Sequence, residues 1–355
     1  MSATYISDID KNFKIETNIK RDNLLFYDIK QEPFRIYGLL YENERFCRIP
    51  SEVAKNVNDG VVLLHSNTAG GRVRFTTNSP YVAISAKMDG VGKMSHFPLT
   101  GSAGFDMYVD EGEGQKYQGT FTPPFDIEDG YESVIDFSST MERTVTINFP
   151  LYSNVRELYI GLDKDSVLRQ AADYKYENPI VYYGSSITQG GCASRPGNSY
   201  QSIISRRLDT NYINLGFSGS ARAEEQIVQY IADMKMSVFV CDYDHNAPDS
   251  THLKNTHLPL YRNIREKQPD LPIIFISAPD IRINPEVYLK RREIIRDTFE
   301  MAVSEGDDKV YFIDGEELFG GDSWDSCTVD RVHPNDLGFY RMARRIEEEI
   351  RKILK

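Results

Sequence analysis

The chain changes its hydrophobic rhythm once, across residues 162–178, and that change limits what it can fold into. Downstream, short apolar runs that read as strands alternate with longer stretches of helical period. The strand-like runs are Ile180–Tyr183, Tyr212–Phe217, Val238–Cys241, Ile273–Ser277 and Val310–Ile313. The helical stretches are Tyr200–Leu208, Glu224–Asp233, His257–Lys267, Val287–Glu305 and Leu337–Leu354. In the first of these, Tyr200, Ile203, Ile204 and Leu208 share one face. Strict alternation predicts a five-stranded parallel sheet with helices on both faces, a three-layer α/β/α unit. Sites in such folds form beyond the carboxyl ends of the strands.

Upstream the pattern is of short runs rich in β-branched and aromatic residues: Phe34–Tyr41, Val61–His65, Arg72–Thr77, Tyr81–Lys87, Phe105–Val109, Tyr117–Phe121, Ser133–Phe137, Thr144–Phe149 and Glu157–Ile160. Gly70-Gly71, Asn78-Ser79-Pro80, Asp89-Gly90, Pro123-Pro124 and Asp129-Gly130 punctuate them. This spacing predicts a β-sandwich, jelly-roll-like, over residues 1–176, with the α/β unit over 177–355. The stretch from Leu162 to Asn178 reads as a linker. It is charged rather than Gly/Ser-rich, so the two units are expected to pack rigidly, the first helping to shape the substrate site.

A net charge of −12 argues against a nucleic-acid partner, which needs a basic footprint, but leaves a small neutral substrate open. Cys47, Cys192, Cys241 and Cys327 are scattered, with no C-x-x-C, and read as reduced thiols. The N-terminus has neither a basic start nor an apolar core, and no 18-residue apolar stretch occurs, so the expected location is the cytoplasm, with no membrane partner. A homo-oligomer stays open.

The chemistry is carried by residues that fall at strand ends. Asp330 precedes His333 by three residues in Thr328-Val329-Asp330-Arg331-Val332-His333-Pro334. That spacing lets the carboxylate take one ring N–H while the other nitrogen faces outward as a base. Ser186, in Gly184-Ser185-Ser186-Ile187-Thr188 after the first parallel strand, is the matching nucleophile, because a serine hydroxyl needs such a base to react. Serines after a strand also cap the next helix, and Ser185 is the next candidate nucleophile. Oxyanion donors are expected from the backbone of Ser186, from Gly219 after the second strand and from Asn246 after the third. A turn glycine and a loop cap are the plain readings of the last two. Trp324, whose ring suits a sugar face, and Asp244 are the expected substrate contacts. His245, His252 and His257 with Asp242 or Asp244 match no standard zinc spacing, so no metal or other cofactor is expected. No G-x-G-x-x-G or Walker pattern occurs, and no G-x-S-x-G surrounds Ser186.

Four blocks occur in order: Gly184-Ser185-Ser186-Ile187-Thr188, Asn214-Leu215-Gly216-Phe217-Ser218-Gly219, Asp242 to Asn246, and Asp330-Arg331-Val332-His333-Pro334. As a set they resemble the SGNH (GDSL-type) hydrolases, whose α/β/α domain is flavodoxin-like. The resemblance implies Ser186 as nucleophile, Gly219 and Asn246 in the oxyanion hole, and Asp330 and His333 as the rest of a triad. Two departures are visible: Ser185 stands where the family has aspartate, and Asp244 where it has glycine. Gly104-Phe105-Asp106-Met107-Tyr108 is similar to the G-x-D-L-Y motif of a β-rich domain that precedes some of these hydrolases. The implied activity is ester hydrolysis, often of acetyl groups on carbohydrates. Acyl transfer to a sugar or natural-product hydroxyl is the alternative, and a carbohydrate-binding protein with a degenerate hydrolase domain is the reading of another class.

Overall fold

In the computed structural model, which describes residues 19–354, an antiparallel β-rich region is followed by a five-stranded parallel sheet with helices on both faces. The parallel strands are Tyr176–Gly184, Thr210–Gly216, Val238–Asp242, Ile273–Ile276 and Val310–Ile313. Numbered in chain order they lie 2-1-3-4-5, the flavodoxin-like arrangement. Alternation along the first strand sends Val181 and Tyr183 into one core and Ile180 and Tyr182 into the other. Helices Glu225–Asp233, Ser250–Lys267 and Pro285–Ser304 cover the first face, and Tyr200–Leu208 and Asp336–Ile353 the second.

Upstream, two antiparallel sheets enclose a third core. One has the order Leu24–Asp28, Asn154–Asp163, Tyr81–Gly90, Gly130–Asp136. The other runs Leu168–Arg169, Arg72–Thr77, Arg143–Asn148, Phe105–Asp110, Lys116–Phe121, with Arg35–Tyr37 also paired to Arg72–Thr77.

Several expectations need correction. Val61–His65 is not a strand but lies in and just after the helix Asp59–Leu64, because the Asn58 side chain accepts from Val61 N at 2.9 Å and starts a turn that β-propensity disfavours. The helix expected from His257 begins at Ser250, where Asp249 caps it; its polar first turns hide it from an apolar period. The strand Leu24–Asp28 and the helix Ser51–Lys55 have no counterpart in the sequence reading. The expected linker is largely structured: Leu162 and Asp163 end one strand, Leu168–Arg169 joins a sheet, and Tyr176 begins the parallel sheet.

The two halves share their packing. Ile49, Ala54 and Val61 sit in one core of the parallel sheet, and Ala69, Phe97 and Leu151 in the other. Two buried arginines of the first half reach the second parallel strand. Arg48 donates to the carbonyls of Leu64, Asn214 and Gly216. Arg72 donates to Asn211 Oδ1 at 2.7 Å and Tyr212 O at 3.1 Å.

In Gly104-Phe105-Asp106-Met107-Tyr108, Phe105 and Met107 face the β-region core while Asp106 faces the other half. The Asp106 carboxylate, fully buried, accepts from Arg195 Nη1 at 3.0 Å, Gly197 N at 2.9 Å and Asn148 Nδ2 at 2.8 Å. A Cβ on Gly197 would lie 2.4 Å from the Tyr108 ring, so only glycine lets the chain approach this closely. Breaking such a buried ion pair from one side typically costs about 3–5 kcal/mol.

Candidate active site

The first parallel strand ends at Gly184, flanked in register by Gly216 of the second strand and Asp242 of the third. Everything that follows these three strand ends therefore converges on one edge of the sheet. Ser185 has extended backbone and caps the short helix Ser186–Gln189 by accepting from Ile187 N at 3.2 Å. The capping role thus belongs to Ser185, and Ser186, at the first helical position, keeps its hydroxyl for other contacts. The helix stops at Gly190, whose φ of 101° is left-handed.

His333 Nε2 lies 2.9 Å from Ser186 Oγ, and His333 Nδ1 lies 2.7 Å from Asp330 Oδ2. The other carboxylate oxygen, Asp330 Oδ1, accepts from the backbone N–H of Val332 at 3.0 Å and of His333 at 2.7 Å. Partial burial pushes the Asp330 carboxyl up. The backbone and ring N–H of His333 and the N–H of Val332 outweigh it, and the group sits below its ordinary range. The loop is closed by its own backbone: Val329 N donates to His333 O, and Asn335 caps the last helix through Leu337 N and Gly338 N.

Gly219 lies in the turn after the second strand with a φ of 68°, exposed, and with nothing near the position a Cβ would take. Asn246 Nδ2 donates to Phe217 O at 2.8 Å, tying the loop after the third strand to the loop after the second across the end of the first. An amide nitrogen carries two hydrogens, so a second donor remains on the same atom. Arg291, buried on the helix Pro285–Ser304, donates to the carbonyls of Asp244 and Ala247 and so clamps both sides of Asn246.

The two expected substrate contacts differ in their surroundings. Asp244 is 1% exposed and accepts from Ala278 N at 2.9 Å, and burial pushes its carboxyl up. It is a strut between the third and fourth strand ends, not a group lining an open cleft. Trp324 is partly exposed, but the Arg282 guanidinium covers one ring face, 3.3 Å from the centroid. The three histidines weighed as metal ligands have separate partners: His245 faces Tyr288 OH, His252 faces Arg222 O, and His257 faces Thr298 Oγ1. His257 lies inside its helix rather than at its start.

Other residues at the site escaped the sequence reading. Gln189 Oε1 accepts from Ser218 N at 3.1 Å, while its Nε2 donates to Asn67 Oδ1 and Leu151 O. It thereby links the helix that begins at Ser186, the loop that leads to Gly219 and the first half of the chain. Tyr152 OH donates to Ser186 O at 3.2 Å. His96, from the first half, stands with its ring 5.6 Å from that of His333. No local pattern marks any of them, since each acts across a long sequence separation.

The chain matches the model of the GDSL-like lipase/acylhydrolase family over residues 177–351, and that of the N-terminus of SGNH hydrolase-type esterases over residues 24–168. A search of curated proteins found no significant match. Among solved structures, a protein described as a GDSL-like lipase from Bacteroides ovatus is 29% identical, with 94% of this chain and 98% of that chain covered and a TM-score of 0.85. Salicylyl-acyltransferase SsfX3 from a tetracycline biosynthetic pathway is 18% identical, with 94% and 99% covered and a TM-score of 0.77. Acetyl xylan esterase Est2A from the rumen bacterium Butyrivibrio proteoclasticus is 12% identical, with 93% and 98% covered and a TM-score of 0.57. The last two likenesses concern the fold.

Proposed function

The chain belongs to the SGNH (GDSL-type) hydrolases with a GxDLY-type β-rich region at its N-terminus and is an esterase, and from that premise we propose that it removes small acyl groups, acetyl above all, from carbohydrates. The observation that carries the reading is the bridge made by His333, 2.9 Å from Ser186 Oγ on one side and 2.7 Å from Asp330 on the other. In this mechanism His333 Nε2 takes the Ser186 proton as Oγ attacks the ester carbonyl carbon. The negative oxygen of the tetrahedral intermediate is held by the backbone N–H of Ser186 and Gly219 and by the amide of Asn246. His333 returns its proton to the departing sugar oxygen, leaving an acyl–Ser186 ester. Water then gives a proton to His333 and attacks the acyl carbon, the Ser186–acyl bond breaks as His333 passes that proton to Ser186 Oγ, and acetate leaves. Asp330 fixes the tautomer throughout. No step calls for a metal or cofactor.

The choice of a carbohydrate ester is supported by the acetyl xylan esterase among the structural neighbours, and the choice of acyl transfer as second reading by the salicylyl-acyltransferase. The division of the chain at residues 176 and 177 belongs to the same proposal, with the two family matches falling on either side of it. Ser186→Ala tests the nucleophile. Hydrolysis of a chromogenic acetate ester should fall by about 10⁴–10⁶ in kcat with the fold intact, and near-normal turnover would move the role to Ser185. Product analysis with acetylated oligosaccharides, with and without an added acceptor alcohol, separates hydrolysis from transfer. Binding of the sugar without turnover by the unmodified chain would favour the degenerate-domain reading.

A further inference from the structure

Among the described residues, His96, Cys192 and His333 offer ligand atoms that all lie within 4.8 Å of one another. They come from three distant parts of the chain. His96 is on the loop after the strand Tyr81–Gly90, Cys192 is in the turn just after the helix that begins with Ser186, and His333 is on the last loop. None of the steps proposed above uses His96 or Cys192.

Each of the three is held in place. Phe97, next to His96, is buried edge-on against Tyr152 with ring centroids 5.3 Å apart, which anchors the loop, while His96 itself stays exposed. Cys192 is a buried, unpaired thiol in a turn closed by Ala193 N donating to Gly190 O, and its φ is 75°. His333 donates its Nδ1–H to Asp330, a carboxylate–histidine pairing that also orients an imidazole as a metal ligand; its Nε2 lone pair faces Ser186 Oγ at 2.9 Å, so an ion that takes it displaces that hydroxyl. The arrangement that makes His333 a base therefore makes it a ligand as well.

The donor set, two imidazoles and one thiolate, suits Zn²⁺ rather than a hard cation such as Mg²⁺ or Ca²⁺. Three protein ligands and one open position for water would complete a tetrahedron. Ligand atoms around tetrahedral zinc lie about 3.3–3.6 Å apart, given Zn–N near 2.0–2.1 Å and Zn–S near 2.3 Å. The three atoms, within 4.8 Å of one another, therefore draw together by up to about 1 Å on binding.

We propose that His96, Cys192 and His333 form an inhibitory Zn²⁺ site, in which the ion takes the His333 Nε2 lone pair and switches the esterase off. The proposal rests on the reading of His333 as the base. Binding forms one Zn–S and two Zn–N bonds. Cys192 releases its thiol proton to solvent, and nothing is oxidised or reduced. The site couples the two halves of the chain, because His96 is supplied by the β-rich region.

The experiment uses the full-length chain, freed of metal by chelation. One equivalent of Co²⁺, as a spectroscopic probe for Zn²⁺, should give a thiolate-to-cobalt charge-transfer band that is absent in Cys192→Ser. Zn²⁺ should inhibit hydrolysis of a chromogenic acetate ester reversibly, with chelator restoring the rate. His96→Ala and Cys192→Ser should each raise the half-inhibitory Zn²⁺ concentration at least tenfold, measured against each variant's own rate without metal. Absence of the cobalt band, or equal zinc inhibition in both variants, overturns the site; zinc binding without inhibition overturns its role. The cobalt band should persist in Ser186→Ala, so failure of the esterase reading and failure of the metal site are told apart. His96→Ala changes an exposed side chain and keeps the test intact if Cys192→Ser does not fold.

Discussion

Asp330 and Asp242 both lie at the carboxyl edge of the parallel sheet, and their surroundings push them in opposite directions. The Asp330 side chain is 34% exposed, and N–H donors from its own loop hold its carboxyl below the ordinary range. Asp242 is buried beneath the segment that carries Ser186. Burial pushes it up to about 7, opposed in part by hydrogen bonds from the Thr188 and Tyr200 hydroxyls and the Ser185 N–H, while Asp244 adds to the rise. The base side of the site is thus a self-contained loop, built within a few residues and open to water. The nucleophile side is a buried segment held by contacts from every direction, including Asn67 and Leu151 of the first half. The carboxylate proposed to stay charged during turnover is kept so by local donors. A group that only has to fill and brace the floor of the site is better accommodated neutral.

That contrast can be broken in several places. On the base side, Asp330→Asn keeps the shape but offers the wrong hydrogen-bond polarity to His333 Nδ1. It should lower kcat by about 10⁴ with a small change in melting temperature, since the loop is exposed. A loss below tenfold would mean that His333 is oriented by something else. Between the two sides, Asn246→Ala removes the proposed side-chain donor to the oxyanion, whose charge appears only in the transition state. kcat should fall by about 10²–10³ with KM little changed, and a dominant KM effect would make Asn246 a ground-state binder.

On the nucleophile side, Gln189→Ala strips the acceptor from Ser218 N and loosens the loop that carries Gly219. Steady-state kinetics should give a drop of roughly tenfold in kcat at unchanged KM, of the size of one misplaced donor. Gln189→Glu, which retains the acceptor for Ser218 N, should recover part of it, and equal loss in both variants would reduce Gln189 to a packing residue.

The smallest effect concerns Asp242 and is read in stability against pH. Its folded value is near 7 and its ordinary value is 3.8, so between about pH 4 and 7 the folded chain keeps a proton that the unfolded chain has released. Through this group, stability falls as pH rises across that window and levels off above it. Melting curves of Asp242→Asn should therefore gain on the unmodified chain from pH 4 to 7, and parallel curves would contradict the assignment.

The halves of the site differ in the same way in what could be read before any fold was known. Asp330 and His333 are three residues apart, and their pairing follows from a turn that the local sequence closes, so spacing alone identified them. The alternation of strand and helix likewise named the five parallel strands, because a strand buried on both faces must be an unbroken apolar run. Where local chemistry overruled apolarity, the reading failed: Asn58 turned Val61–His65 toward helix, and polar first turns concealed the start of the helix at Ser250. In the motif Gly104-Phe105-Asp106-Met107-Tyr108 alternation separates Phe105 and Met107 from Asp106 and Tyr108, but it does not say what Asp106 meets.

Only the tertiary structure decided that Asp106 clasps Arg195 and Gly197, that Gln189 ties Ser218 to Asn67, and that His96 faces His333 from the other half of the chain. Composition and spacing determine that Asp330 and His333 pair and which layers carry them, because both depend on neighbours within a strand or a turn. Which buried polar group meets which is fixed by the 2-1-3 order of the first three parallel strands and by the docking of one sheet system on another. Those contacts join residues up to 237 positions apart, as between His96 and His333, and no local periodicity encodes them.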